Sequence, residues 1–258
     1  MKCLSIDLES FAHINPHNTD SSAEKKSKDN GYIKRAVKEI LEMLKATENK
    51  ATFFILGEIY EWHPELIEEI KKSGHEIGYH SHTHRIIKNS RILAEEIKKS
   101  EKFIKEYMPK GFRAPQMFLT KDSLNVLKEN GFEYDSSTYG KEPFNEIIAE
   151  LPITTLFNAK KEHPQSLSIK NLLKLPLGSG FFFGILGSRT AIENVCMFIH
   201  PWQITKFPLK HKIKAVLRDP RLIPYLINRK KSFSRMLSRN RFCRFIDLLQ
   251  QKSPSSLD

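Results

Sequence analysis

The chain has 258 residues, 40% of them hydrophobic, three cysteines and a formal net charge of +12. That is enough apolar material for one globular domain with an extension; the isolated cysteines, Cys3, Cys196 and Cys243, argue against a disulfide framework and for a reducing compartment. The stretch before Asp7 is too short for a signal peptide and no apolar run is long enough to span a bilayer, so a soluble cytoplasmic protein is expected, with a place at the membrane periphery as a further expectation.

In chain order, residues 3–6 predict a short strand ending at Asp7, with Glu9 just beyond. Residues 10–30 are polar, carry His13, His17 and a lysine cluster, and predict a lid or mobile loop. Residues 32–46 place Ile33, Val37, Ile40, Leu41 and Leu44 on one helical face. Residues 51–56 are continuously apolar, as in a strand buried on both faces. Pro64 suits the first turn of a helix that runs to Lys72. A strand over 76–79 leads into His80-Ser81-His82-Thr83-His84. One long amphipathic helix is expected over 90–107, a short strand at 111–113, a helix over 121–129 and a strand over 132–134 ending at Asp135. This alternation predicts parallel βαβ units. Further on, 151–154 and 174–177 are candidate short strands. Gly178-Ser179-Gly180 opens the aromatic run Phe181 to Phe183, and 195–199 is an apolar strand ending at His200-Pro201-Trp202.

From Lys206 to Lys252 the composition changes. Fourteen lysines and arginines face two acids, Asp219 and Asp247, so this segment carries the net charge of the chain. Phe242, Phe245, Ile246 and Leu249 fall at helical spacing, with Arg235, Arg239, Arg241 and Arg244 mostly off that stripe. The segment reads either as a helical cap docked on the rest or as a basic helix on an anionic membrane surface. Nucleic acid is not an expected partner, because charge alone supports it.

His80 and His84, four residues apart, can present both imidazoles to one divalent ion from a helical turn or from a tight turn after a strand. Asp7 with Glu9, His80 with His84, Arg113, Asp135 and His200 each follow a different predicted strand. In parallel α/β barrels functional side chains gather at such carboxyl ends. Trp202, Tyr139, Trp62 and Phe181 to Phe183 are aromatic candidates for stacking on sugars, with core packing as their default role. Cys3 and Cys196 become neighbours if the first and last strands are adjacent.

Five segments carry a family resemblance: Ser5-Ile6-Asp7-Leu8-Glu9, His80-Ser81-His82-Thr83-His84, Arg113-Ala114-Pro115-Gln116-Met117, Asp135-Ser136-Ser137 and Ile199-His200-Pro201-Trp202. In order and spacing the chain resembles the NodB-homology polysaccharide deacetylases, carbohydrate esterase family four, over most of residues 1–203. The resemblance implies a deformed (β/α) barrel with fewer than eight strands and a divalent metal, zinc by expectation, held by Glu9, His80 and His84. It implies Asp7 as the base acting on the attacking water, Arg113 as its partner, and His200 as the acid for the leaving amine. Asp135 is implied as the partner of the other His200 nitrogen, and the Gln116 backbone N–H as an oxyanion donor. The family commonly has Asp-Asp in its first motif; Asp7-Leu8-Glu9 departs from it, which leaves Asp7 and Glu9 both open as the carboxylate ligand. Gln116 and Met117 stand where an aromatic residue and glycine are usual. Trp202 is the aromatic residue best placed for substrate.

The expected organisation is a deacetylase domain over 1–205 with a basic helical extension over 206–258. The expected activity is hydrolysis of an N-acetyl group on an amino sugar of a glycan or its lipid-linked precursor. The rivals are a C–N hydrolase acting on a small cyclic amide or ureide, and a non-catalytic glycan binder on the same fold.

Overall fold

β1 (Lys2–Leu8) is buried from Cys3 onward and divides its side chains by the period of two that a strand imposes. Leu4, Ile6 and Leu8 pack with the surrounding helices, whereas Cys3 joins the barrel interior beside Phe54 and Tyr134. Ser5 and Asp7 share that interior face and both accept hydrogen bonds from Arg113. The computed structural model describes residues 1–15, 19–139, 147–154 and 195–252. The sequence features at His17, 174–177, Gly178 to Gly180 and Phe181 to Phe183 lie outside them.

Among the described residues six further strands join β1: β2 (Thr52–Ile55), β3 (Glu76–Tyr79), β4 (Gly111–Phe112), β5 (Tyr134–Asp135), β6 (Ala149–Glu150) and β7 (Val195–Ile199). They form one seven-stranded sheet in the order β6-β5-β4-β3-β2-β1-β7. Every pairing is parallel. This is the deformed (β/α) barrel. Cys3 pairs with Cys196 across β1 and β7. Gly78 is required by close packing: a Cβ there would lie 2.6 Å from the Phe54 ring.

The helical layer follows the apolar periodicity, with two differences. The polar stretch before Gly31 contains α1 (Ser22–Asp29), started by a reciprocal cap in which Glu24 N donates to Ser21 Oγ and Ser21 N donates to the Glu24 carboxylate. α2 (Tyr32–Ala46) buries the expected Ile33, Val37, Ile40, Leu41 and Leu44. α3 (Gly57–Trp62) and α4 (Pro64–Lys72) lead to β3. The single helix expected over 90–107 is two, α5 (Ser90–Lys99) and α6 (Glu101–Tyr107). They part at Ser100, whose hydroxyl lies 2.9 Å from His82 Nδ1 and 3.1 Å from the Tyr79 hydroxyl, so this side chain is committed to the polar interior at the break. α7 is Ser123–Glu129, and after β7 come α8 (Leu209–Arg218), α9 (Lys230–Arg239) and α10 (Phe245–Lys252).

The apolar stripe around Phe242 is used up inside the fold. Leu4 N donates to Cys243 O at 3.2 Å and Cys243 N to Lys2 O at 2.9 Å, which lays residues 242–244 beside β1. Phe245 N donates to Thr52 Oγ1 at 2.8 Å and Ile246 N to the Glu76 carboxylate at 3.0 Å. Phe245 is fully buried against Phe54 and Tyr134. Phe233, Met236 and Leu237 of α9 enter the main core, while Arg235, Arg239 and Arg241 stay in solvent. All three cysteines meet here as free thiols, with Cys3 Sγ 3.2 Å from Cys243 Sγ. Among the described residues no helix is long and apolar enough to cross a membrane.

Candidate active site

Glu9, two residues beyond Asp7, keeps to the barrel side of the chain, so the spacing Asp-x-Glu brings both carboxylates to one centre while Leu8 points into the core. β3 delivers the histidines. His80 extends β3 by one residue, its N–H donating to Ile55 O at 2.9 Å. The chain then turns tightly rather than entering a helix, with Ser81 at φ 69° and His84 at φ 65°. Left-handed conformations at non-glycine residues cost about 1–3 kcal/mol each and concentrate at functional sites. Here they swing His84 back beside His80, the ring centroids 5.4 Å apart. His82 points away to Ser100 and Glu61.

Three imidazoles converge on one carboxylate oxygen. Glu9 Oε1 is 3.2 Å from His80 Nε2, 3.2 Å from His84 Nε2 and 3.5 Å from His200 Nε2. Burial alone would push the Glu9 carboxyl up; the charge of His84 and hydrogen bonds from His200, His80 and His84 outweigh it and hold the carboxyl well below its ordinary range. Asp7 faces the same space from the other side. Its Oδ2 lies 3.9 Å from His200 Nε2, and its Oδ1 accepts from Arg113 Nη1 at 2.6 Å.

Arg113 is completely buried. Besides Asp7 it donates to Ser5 Oγ at 2.7 Å, Ser136 O at 3.1 Å and Ser136 Oγ at 2.9 Å, and its guanidinium lies 4.1 Å over the Phe54 ring. This cage fixes the cation and, through it, Asp7. Ser5 and Ser136 were not among the predicted site residues; Ser5 was legible as the interior residue two before Asp7.

The donor set suits a divalent ion. His80 Nδ1 lies 2.7 Å from Arg113 O; a carbonyl only accepts, so that nitrogen carries the proton and Nε2 is the atom aimed at Glu9. His84 Nδ1 is buried, with no hydrogen-bond partner among the described residues. Two imidazole nitrogens around one buried carboxylate need positive charge between them, supplied by protons on the rings or by a metal in their place. Glu9, His80 and His84 form one group with the spacing of metal ligands, and Asp7, Glu9 and His200 form another. In both, Glu9 is present, while Asp7 is committed to Arg113.

Two predicted contacts are not made. Asp135 does not reach His200: it accepts from Ser137 Oγ at 2.6 Å and shares a hydrogen bond with Glu150, and burial raises its carboxyl. Among the described residues, His200 Nδ1 is left buried and without a partner. Asp135 instead props the third motif, because Ser137 Oγ also accepts from Ala114 N at 2.8 Å. Trp202 is no exposed sugar platform. It is 4% exposed and stacks on His200 with ring centroids 4.4 Å apart and planes 12° from parallel, holding that imidazole in place. Trp62 likewise packs, stacked at 5.2 Å on His13. Gln116 is exposed, at φ 55°, and lines a groove of about 720 Å³ with Phe11, Asn15, Lys214 and Arg218.

Sequence reading also missed a buried cluster beside the centre. His13 Nε2 lies 3.0 Å from Glu58 Oε2, to which Lys25 Nζ donates at 2.6 Å. Burial lowers the His13 imidazole against the pull of Glu58. The cluster clamps α1 onto α3. Its signal was confined to single residues in a polar stretch.

A curled parallel α/β barrel with a carboxylate–histidine centre at the carboxyl ends of its strands is the class of protein defined so far. Residues 27–134 match the family profile described as "Polysaccharide deacetylase". A peptidoglycan-N-acetylglucosamine deacetylase of Bacillus cereus is 28% identical over 109 residues, 41% of this chain and 51% of that protein. Over those residues the chain is similar to the polysaccharide deacetylases, and it spans about half the length of the curated relatives it matches. Among solved structures, the PuuE allantoinase superposes with a TM-score of 0.58 at 16% identity, covering 96% of this chain and 88% of that one. A carbohydrate esterase family four pseudoenzyme from Bacillus anthracis gives 0.51 at 14% identity, covering 96% and 65%. At these identities the likeness is one of fold.

Proposed function

We propose that the protein is a metal-dependent N-deacetylase acting on an amino sugar of a polysaccharide or of its lipid-linked precursor. The observation that carries this reading is the convergence of His80, His84 and His200 on Glu9, with an arginine-held Asp7 alongside. Glu9, His80 and His84 hold the ion. When bound, a divalent metal, zinc by the chemistry of this donor set, supplies Lewis-acid polarisation of the acyl group and a more acidic water.

The chain's own residues do the rest. Asp7, kept in place by Arg113, takes the proton of the attacking water. His200 Nε2, on the open side of Glu9, gives a proton to the departing amine. The Gln116 N–H stabilises the oxyanion as it develops. Asp135 acts at one remove, through Ser137 and Ala114, on the loop that carries Arg113 and Gln116. Members of the family that match by sequence act, by their names, on peptidoglycan sugars, which supports an N-acetylated glycan as the substrate class.

The test is acetate release from N-acetylglucosamine oligomers, peptidoglycan fragments and a lipid-linked N-acetylated sugar, beside a panel of small cyclic amides and ureides. Turnover of the acetylated sugars alone supports the reading. Turnover confined to the ureides overturns it, and no turnover of any substrate by metal-loaded protein favours a glycan binder.

A further inference from the structure

Of the two readings open for the basic segment, a docked cap or a helix on a membrane surface, the stripe around Phe242 follows the first and is buried. A different helix carries the feature. None of the ten residues of α8 is buried. Leu209, Ile213 and Leu217 are 67%, 51% and 80% exposed, and at spacings of four they form one continuous apolar row. Lys210, Lys214 and Arg218, each one position further on, form a basic row beside it. Among the described residues none of these three cations pairs with a carboxylate. His211, Ala215 and Val216 are the residues that hold α8 to the body, against Phe11 and the cluster that includes Tyr32 and Trp202. The helix is therefore fixed in orientation, with its apolar row outward. Ile223, 43% exposed, sits in the short helix packed on α8.

Scattered surface leucines are ordinary. Three in a row along one helix, flanked by a row of unpaired cations, are the pattern of a helix lying in a bilayer interface, its apolar side chains among the acyl chains and its cations at anionic headgroups. We propose that α8 docks the protein on an anionic lipid surface. Charge complementarity selects that occupant: Lys206, Lys210, Lys212, Lys214 and Arg218 lie within thirteen residues that contain no acid, a row that repels a second copy of itself. The same helix borders the groove at Gln116, since Lys214 and Arg218 line it. The bilayer and the groove therefore meet along one helix. The proposal stands apart from the reaction, because none of the apolar row belongs to the catalytic centre.

The test is co-sedimentation of the full chain with vesicles of phosphatidylcholine alone and of equal parts phosphatidylcholine and phosphatidylglycerol. The anionic vesicles should retain the protein and the neutral ones should not, and raised salt should weaken binding. Lys210→Ala and Lys214→Ala should each weaken it about fivefold. Ile213→Glu with Leu217→Glu should abolish it, with the thermal unfolding midpoint unchanged because both side chains are exposed. Three results would overturn the proposal: wild-type protein left in the supernatant with anionic vesicles; equal binding by the glutamate variant; or a glutamate variant that unfolds earlier or loses a dimer seen by analytical ultracentrifugation, which would mean that the row is covered by protein.

Discussion

Replacing Arg113 by methionine tests the buried framework on which the site depends. Arg113 is wholly buried and Asp7 is 3% exposed, with 2.6 Å between them. Methionine keeps much of the bulk over Phe54 but leaves the Asp7 charge unpaired and strips the hydrogen bonds to Ser5 Oγ, Ser136 O and Ser136 Oγ. Removing one partner of a buried pair costs about 3–5 kcal/mol, a large share of the roughly 5–15 kcal/mol that holds a domain folded. Asp7→Asn in the same chain removes the stranded charge and should return part of the loss. Urea unfolding of the wild type, the two single variants and the double variant gives the cycle. We expect the Arg113→Met loss to fall in that range and the two changes to couple by about 2 kcal/mol. A loss under about 1 kcal/mol, with additivity to within about 0.5 kcal/mol, would refute the reasoning.

Further outcomes follow from the geometry. His200→Ala should lower kcat by about 10²–10⁴ while leaving metal content intact; an unchanged kcat would remove His200 from the acid role. Asp135→Asn, acting through Ser137 and Ala114, should leave the pH profile of kcat in place and lower kcat less than His200→Ala does; a displaced limb of the profile would mean that Asp135 tunes His200 directly. Burial raises the Glu76 carboxyl, so its protonated form favours the folded state. That contribution is complete below the unfolded value of about 4.3 and is lost as pH rises through the folded value. Glu76→Gln should therefore gain in melting temperature relative to wild type as pH rises across that interval, and a pH-independent difference would contradict the assignment. Hydrogen bonds with Cys196 and Cys243, together with burial, keep Cys3 protonated, whereas the hydrogen bond from Cys3 lowers the half-buried Cys243. Maleimide should label Cys243 alone in the folded protein, as mass spectrometry of peptides would read.

The parts of the site that were legible in sequence are those governed by local period. Strand alternation alone puts Ser5, Asp7 and Glu9 on one face, and the four-residue spacing of His80 and His84 let two imidazoles meet. The helical stripe of α2 and the strand limits at Glu76–Tyr79 and Val195–Ile199 followed from apolar runs. What failed depends on partners far apart in the chain. Whether Asp135 meets His200 is decided by how strands of only two residues sit in the sheet, and no periodicity reports that. Trp202 was assigned to substrate because it follows His200, but the turn at Pro201 folds its ring flat against the imidazole. For the stripe at Phe242 the period left docking and a membrane surface both open; it docks because residues 242–244 run beside β1 and Phe245 and Ile246 bond to Thr52 and Glu76, contacts far along the chain that no local pattern reports. The break at Ser100 arises from side-chain bonds to His82 and Tyr79 that helix propensity does not register.

The central claim is that Glu9, His80 and His84 together hold a divalent ion that the hydrolysis needs. The direct measurement is acetate release by protein stripped with a chelator and titrated with zinc, read alongside metal content for the wild type and His84→Ala. Activity should vanish on stripping and return at one equivalent of zinc in the wild type, while His84→Ala retains neither metal nor turnover. Full turnover by protein shown to be free of metal would contradict the account.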